Sequence, residues 1–400
     1  MLNAYIYDGV RTAFGRHAGE LATIRPDNLA AHVIKALLEK HNLPNNIYDD
    51  VILGNTNQAG EDSRNIARHA ALLAGLDVKT PAQTVNRLCA SGLASVIDAA
   101  RAISCGEGDI FIAGGVESMS RAPFVFAKSE KAFGRDFKVF DSAIGARFPN
   151  PAIEKQFGDD TMPKTGDNVA VEYGITREDA DTFAAASQAK YEAAKQAGFF
   201  EGEIVGIEVP QGRKLAPKLV VADEHPRPSS NMEALQKLKP LFADGVVTAG
   251  NASGVNDGAA ALLIGSEQAE QSLGFKPIAK ILASGAAGIE PRIMGAGPVD
   301  AIKLALKRAN LTLADMDIIE INEAFASQVL ACLRGLDVAL DDPRVNPNGG
   351  AIAVGHPLGA SGARLALSTA RELQRSGKKY AVISLCIGVG QGLAMVIERV

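Results

Sequence analysis

Along most of the chain, short β-branched runs alternate with alanine-rich stretches of helical period. Tyr5–Tyr7, Val51–Leu53, Ile110–Ala113, Ile318–Ile321 and Ala381–Leu385 read as buried strands. Leu29–Lys40, Ala90–Ser104, Ala301–Ala309 and Ser361–Arg375 read as helices. Strands alternating with helices predict an α/β fold with largely parallel sheets. The apolar stretch Ala381–Val400 holds three glycines, Gln391, Glu398 and Arg399, so it predicts two strands around a turn rather than a membrane span.

The pattern also repeats. Ala90-Ser91-Gly92 returns as Ala360-Ser361-Gly362, Ala100-Arg101 returns as Ala370-Arg371, and the strand Ile110–Ala113 falls on Tyr380–Ile383, all 270 positions on. At an offset of 268, Ile34-Lys35 matches Ile302-Lys303, Asn42-Leu43 matches Asn310-Leu311, and Asp49 matches Asp317. Gapless matches at nearly equal offsets and in one order indicate a duplicated α/β half. Between the halves regular alternation is lost and charge, glycine and proline rise, with a helix at Glu178–Ala197 and a charged, proline-rich stretch at Asp223–Pro228. Residues 1–119 and 251–272 are therefore expected to form one half and 273–400 the other. Residues 120–250 then form an inserted lid or binding domain, or a surface insertion without a role.

Composition narrows the chemistry. A 400-residue chain with 47% hydrophobic and 22% charged residues is that of an ordinary globular protein. A net charge of −5 argues against nucleic acid or an anionic membrane as partner. The four cysteines, Cys89, Cys105, Cys332 and Cys386, form no CxxC pair and no zinc spacing, which predicts free thiols in a reducing compartment. The N-terminal residues read as a strand and not as a signal peptide.

Four segments could carry a reaction. In Asn86-Arg87-Leu88-Cys89-Ala90-Ser91-Gly92, a strand ends and a helix begins, so Cys89 is expected at a helix N-terminus. The local dipole there would favour the thiolate and lower its pKa. Such a cysteine is a nucleophile, or else a small buried hydrophobe at a helix start. In Asn346–Gly359, His356 lies in a glycine-rich loop feeding the sister helix, where Gly359 takes the place of Cys89. If the halves pack about a pseudo-twofold, both helix starts face one pocket and His356 can take the cysteine proton; a structural turn histidine is the alternative. Cys386 precedes Ile387-Gly388-Val389-Gly390, whose backbone N–H groups suit an oxyanion hole. Asn322 and Glu323 follow a strand directly, at an edge where α/β folds gather function; Asn322 could hold a water or simply form a turn. Cys105 and Cys332 lack such surroundings and read as structural.

These segments, with Gly114–Arg121, Thr248–Asp257 and Asn322–Ala326, stand in the order found in thiolases, and the chain resembles that family over almost its whole length. The resemblance implies a five-layered αβαβα core of two duplicated halves with an inserted loop domain. It implies Cys89 as acylated nucleophile, His356 as its base, and Cys386 as acid and base at the acetyl carbon. Asn322 would orient a water that joins His356 in one oxyanion hole, and the N–H groups of Cys89 and Gly388 would form the other. For coenzyme A it points to Ser253, Ala324, Phe325, Met162, Arg227 and Phe242, although Thr161-Met162-Pro163 replaces the His-Met-Gly of many thiolases. Coenzyme A and acetyl-CoA are then substrates, with no metal and no tightly bound cofactor, in a cytoplasmic homodimer or homotetramer. Asn57–Asp62, Ser120–Val125 and Arg147–Pro151 are most similar to thiolases acting on 3-oxoadipyl-CoA. A buried terminal carboxylate needs a cation, for which Arg64, Arg68 and Arg147 are candidates. The alternatives are a thiolase for acetoacetyl-CoA or general fatty 3-ketoacyl-CoA, and a non-catalytic acyl-CoA-binding relative, which would lack Cys89 or His356. A ketosynthase would carry a second histidine in place of Asn322, and a papain-type hydrolase would not show the duplicated pattern.

Overall fold

The computed structural model describes residues 2–212 and 215–400. Nine main strands are β1 (Ala4–Thr12), β2 (Asp50–Gly54), β3 (Ala82–Val85), β4 (Ile110–Ser118), β5 (Asn256–Gly265), β6 (Ala279–Gly288), β7 (Ile318–Ile321), β8 (Tyr380–Ile387) and β9 (Gln391–Arg399). Six helices cover them: α1 (Pro26–Lys40), α2 (Ile66–Leu73), α3 (Ser91–Cys105), α4 (Gly297–Ala309), α5 (Ala326–Gly335) and α6 (Leu358–Ser376). The strands hydrogen-bond in the order β7-β8-β9-β6-β1-β5-β4-β2-β3. The two halves meet at β1 and β6, through Ala4–Ile6 against Ala279–Ile281.

The period of two along each strand decides the layers. In β4, Phe111 and Ala113 face a core shared with α3 and α6, and Ile110 and Ile112 face α1 and α2. In β8 and β9, Ile383, Leu385, Met395 and Ile397 face the same α3–α6 layer, and Val382, Ala394 and Val396 face α4 and α5. The result is the expected αβαβα sandwich. The duplication is visible as α1 and α4, β2 and β7, α3 and α6, and β4 and β8 in corresponding places. Small residues let the central helices touch: a Cβ on Gly92 would lie 2.5 Å from the Gly359 carbonyl oxygen, and one on Gly362 would lie 2.3 Å from the Leu93 nitrogen. The segment Leu88–Cys105 is long and apolar enough to cross a membrane by composition, and it is this central core helix.

The expectation of largely parallel sheets is corrected. Among the nine main strands only β7–β8, β4–β2 and β2–β3 run parallel. The other neighbours are antiparallel: β9 folds straight back on β8, β5 returns beside β4, and β1 and β6 lie antiparallel between them. Between β8 and β9 the return is a short turn at Gly388–Gly390. Between β4 and β5 the register is equally tight, Ser118 opposite Asp257, but the chain between them makes the long excursion. That excursion includes the helices Met162–Glu172 and Arg177–Gln196 and a two-stranded arm, Phe124–Phe126 with Val139–Asp141.

Candidate active site

Cys89 sits in the turn between β3 and α3. Side chains brace the turn: Asn86 Oδ1 accepts the Leu88 N–H at 2.9 Å, and Ser91 Oγ accepts the Arg87 N–H at 2.8 Å while donating to the Leu88 carbonyl at 2.7 Å. Leu88 is held at φ 47°, a left-handed conformation that costs a non-glycine residue about 1–2 kcal/mol. At this bend the N–H of Cys89 itself and the N–H of Gly388 from the β8–β9 turn favour the Cys89 thiolate. A Cβ on Gly388 would lie 3.5 Å from Leu88 Cδ1 and 3.6 Å from Met162 Sδ, so Met162 covers the same spot.

A lowered Cys89 pKa was expected from the helix start, and the structure reverses the sign. Cys89 as a residue is half-buried, but desolvation of its thiol outweighs the two N–H groups and pushes it up to about 11. The helix begins only at Ser91, so Cys89 stands outside the first turn. At rest Cys89 is a thiol, and to act as a nucleophile it would need a base.

His356 is buried in the loop before α6. Its Nδ1 is 2.6 Å from Ser361 Oγ, which donates its only hydrogen to the Pro357 carbonyl at 2.9 Å. A carbonyl cannot donate, so Ser361 must accept from Nδ1–H, and Nε2 keeps its lone pair. Nε2 lies 3.4 Å from the Asn322 amide nitrogen. Burial, and then the Arg364 cation, lower the imidazole pKa to about 3, so the ring is neutral at working pH. Two side chains of the other half hold this loop: Asn256 Oδ1 accepts the His356 N–H at 2.8 Å, and Glu117 accepts the Gly359 N–H at 2.9 Å. Glu117 also accepts from the N–H groups of Thr56 and Asn57 and from the Thr56 hydroxyl. Burial still pushes its carboxyl up to about 7.

Asn322 continues the β7–β8 pairing, its N–H donating to the Ser384 carbonyl at 2.9 Å, and its buried Oδ1 has no protein partner. Cys386 ends β8 in a small cluster with Val247, Met294, Ala324 and Phe325. Burial, and then the neighbouring Cys89 thiol, hold its pKa well above the usual value. Of the coenzyme candidates, Ser253, Ala324 and Phe325 lie together. Ser253 donates its N–H to the Ala324 carbonyl at 2.9 Å, and Ala252 bridges to Phe325. Met162 and Phe242, 39% and 38% exposed, remain open to a ligand. Arg227 is anchored by its N–H to Gln188. Of the other thiols, Cys332 is buried in α5 and donates to the Gly295 carbonyl, and Cys105 is exposed at the far end of α3. Cys105 is remote from Cys89, whereas Cys332 lies near enough to add to the raised pKa of Cys386. Arg68 and Arg147 are not free cations: Arg68 donates to the carbonyls of Thr80 and Val78, and Arg147 to those of Ser142 and Asn57. Arg64 is exposed, and among the described residues it has no hydrogen-bond partner.

Residues 4–268 match the thiolase N-terminal domain and residues 275–399 the thiolase C-terminal domain. The chain belongs to the thiolase family. It is 58% identical, over the full length of both chains, to a beta-ketoadipyl-CoA thiolase of Acinetobacter baylyi. It is 54% identical, again over both full lengths, to the 3-oxoadipyl-CoA/3-oxo-5,6-dehydrosuberyl-CoA thiolase of Escherichia coli. Human mitochondrial 3-ketoacyl-CoA thiolase in complex with CoA superposes with a TM-score of 0.91 at 42% identity, covering 100% of this chain and 98% of that one. Sequence reasoning about this thiolase missed Ser361, Asn256 and Glu117. Glu117 had left a signal, a carboxylate at the end of the apolar run Ile110–Val116; Ser361 had registered only as part of the repeat.

Proposed function

We propose that this thiolase cleaves 3-oxoadipyl-CoA with coenzyme A to succinyl-CoA and acetyl-CoA, reversibly and by ping-pong through a Cys89 acyl-enzyme. What supports the mechanism is Cys89 at a strained turn, with the N–H groups of Cys89 and Gly388 favouring its thiolate, and a neutral imidazole at the start of α6, the helix that packs on α3 through Gly92 and Gly359. The Cys89 proton passes to His356 Nε2 as the sulfur attacks the 3-oxo carbon. The oxyanion formed there is met by the N–H groups of Cys89 and Gly388, each contributing about 3–4 kcal/mol. The C2–C3 bond then breaks, its electron pair moves into the acetyl-CoA enolate, and Cys386 protonates the carbon. The thioester oxygen of that enolate lies against His356 and a water held by Asn322, whose unpartnered Oδ1 suits a water hydrogen. Coenzyme A then takes the succinyl group from Cys89: its thiol proton passes to the Cys386 thiolate, and His356 returns its proton to the departing Cys89 sulfur, so all three groups regain their starting forms. Coenzyme A runs along Ser253, Ala324 and Phe325 under the rim of Met162, Phe242 and Arg227, with residues 120–250 as its cover. The substrate choice rests on the full-length similarity to proteins named for 3-oxoadipyl-CoA. A homodimer or homotetramer in the cytoplasm fits the exposed aromatic arm, Phe124, Phe126, Phe133 and Phe137, which offers apolar surface to another copy.

Incubation with 3-oxoadipyl-CoA and no free coenzyme A should leave a succinyl group on Cys89, read by peptide mass spectrometry. An unmodified Cys89 beside released acetyl-CoA would refute the acyl-enzyme.

A further inference from the structure

Arg11, on β1, is wholly buried. Its Nη1 and Nη2 donate to the two oxygens of Asp223 at 2.6 and 2.9 Å, and its Nε donates to Glu203 at 2.6 Å. Asp223 also accepts the Phe14 N–H at 2.8 Å and the Tyr191 hydroxyl at 3.1 Å. One side chain of the core thus holds two points of the excursion. A buried ion pair adds little net stability, because desolvation of both charges offsets their attraction. What paired, charge-assisted hydrogen bonds supply is a fixed geometry. That geometry passes to the strap Asp223-Glu224-His225-Pro226-Arg227. Glu224 accepts the N–H groups of Arg16 and Glu20 at 3.1 and 2.9 Å. The His225 ring closes over Gly254, where a Cβ would lie 2.4 Å from its Cε1, so the strap runs beside Ser253. Pro226 stiffens it by fixing φ. At the far end the buried Gln188 accepts the Arg227 N–H at 2.9 Å and donates to the Ile352 carbonyl at 3.1 Å. The strap is pinned at both ends and in the middle. The Arg227 side chain, by contrast, is exposed, and its guanidinium has no hydrogen-bond partner among the described residues.

We propose that Asp223 and Gln188 are positioning residues for coenzyme A: they hold the strap so that the Arg227 guanidinium meets a phosphate at the nucleotide end of the coenzyme. The inference rests on the reading of Ser253 and Arg227 as coenzyme contacts, and it gives the buried Arg11–Asp223 pair a part in substrate binding. An unpaired cation on a backbone fixed beside a ligand site is arranged to meet an anion. Because the strap is held before the coenzyme arrives, binding does not have to order it. The thiol end of the coenzyme lies away from this contact, at Cys89, so the strap acts on affinity for the nucleotide and not on the reacting atoms.

Two thiols separate this role from scaffolding: coenzyme A, and pantetheine, which lacks the nucleotide. Each serves as acceptor for thiolysis by the full-length enzyme. Asp223→Asn keeps the side-chain shape and removes the charge. KM for coenzyme A should rise about 10-fold, the loss of one charge-assisted hydrogen bond, with kcat little changed. Gln188→Met keeps the length, loses both hydrogen bonds, and should do the same. In both variants kcat/KM for pantetheine should stay at the wild-type value. So should the rate of Cys89 alkylation by iodoacetamide, followed by peptide mass spectrometry. Arg227→Ala should raise KM for coenzyme A equally, and adding Asp223→Asn to it should raise KM no further, because Asp223 acts through Arg227. Equal losses with the two thiols, an unchanged KM for coenzyme A, or an additive double variant would overturn the proposal. If Asp223→Asn does not fold, Gln188→Met, alone and combined with Arg227→Ala, decides it by the same outcomes. Arg227→Ala with an unchanged KM would instead refute the reading of Arg227 as a coenzyme contact.

Discussion

At the scale of single residues, the thiol and the imidazole divide the work by their surroundings. Cys89→Ala should abolish acyl-enzyme formation and turnover while coenzyme A still binds, as measured by acylation and by calorimetry. Cys386→Ser should slow carbon–carbon cleavage far more than acetyl exchange between coenzyme A and an analogue, because only the former moves a proton at carbon; equal losses would contradict separate roles. Ser361→Ala removes the acceptor that keeps the Nδ1 hydrogen in place, so the wrong tautomer becomes accessible. A fall in kcat of about 10–100-fold with KM little changed is expected. Since Cys89 is pushed up to about 11 and His356 down to about 3, wild-type alkylation should climb through the alkaline range. A plateau near pH 6 would mark a preformed thiolate. Cys89 and His356 were legible in the sequence because helix starts and glycine loops leave marks in residue type. The direction of the Cys89 shift was not, because it depends on how much protein closes over the sulfur.

The elements show how tightly the pocket is set. Gly92 and Gly106 stand at opposite ends of α3 and make a controlled comparison. Gly92→Ala drives a Cβ into the Gly359 carbonyl and should cost about 3 kcal/mol and most of the activity. Gly106→Ala meets open space and pays only for φ 78°, about 1 kcal/mol, with kcat unchanged. Denaturant melts and steady-state rates on the same preparations check both. Helix and strand positions were legible because their periods differ, and the duplication because it repeats side chains. Strand direction was hidden: a chain that returns beside its neighbour after a long excursion looks, in sequence, like one that crosses over. The tie between Glu117 and Gly359 was hidden for the same reason, since it joins residues far apart in the chain.

For the molecule as a whole, the open question is the acyl tail. A site built for the second carboxylate should favour 3-oxoadipyl-CoA over 3-oxohexanoyl-CoA by about 30-fold in kcat/KM, because the six-carbon analogue without the carboxylate leaves a cation unpaired. Equal turnover of the two would leave a general thiolase. With Arg68 and Arg147 bound to carbonyls, Arg64→Ala is the first of the three to test, and it should erase that preference without lowering turnover of 3-oxohexanoyl-CoA. The duplicated strand pairs frame this problem. Both β4–β5 and β8–β9 are antiparallel neighbours in tight register, yet one junction is a short glycine turn beside the nucleophile and the other carries the whole excursion. Its two ends are pinned where Ser118 meets Asp257, so length and sequence can drift between them while the reacting groups keep their spacing. A fold that confines variation in this way is suited to diversification: insertions and substitutions can gather in one excursion while the strands that carry Cys386 and Asn322 keep their pairing.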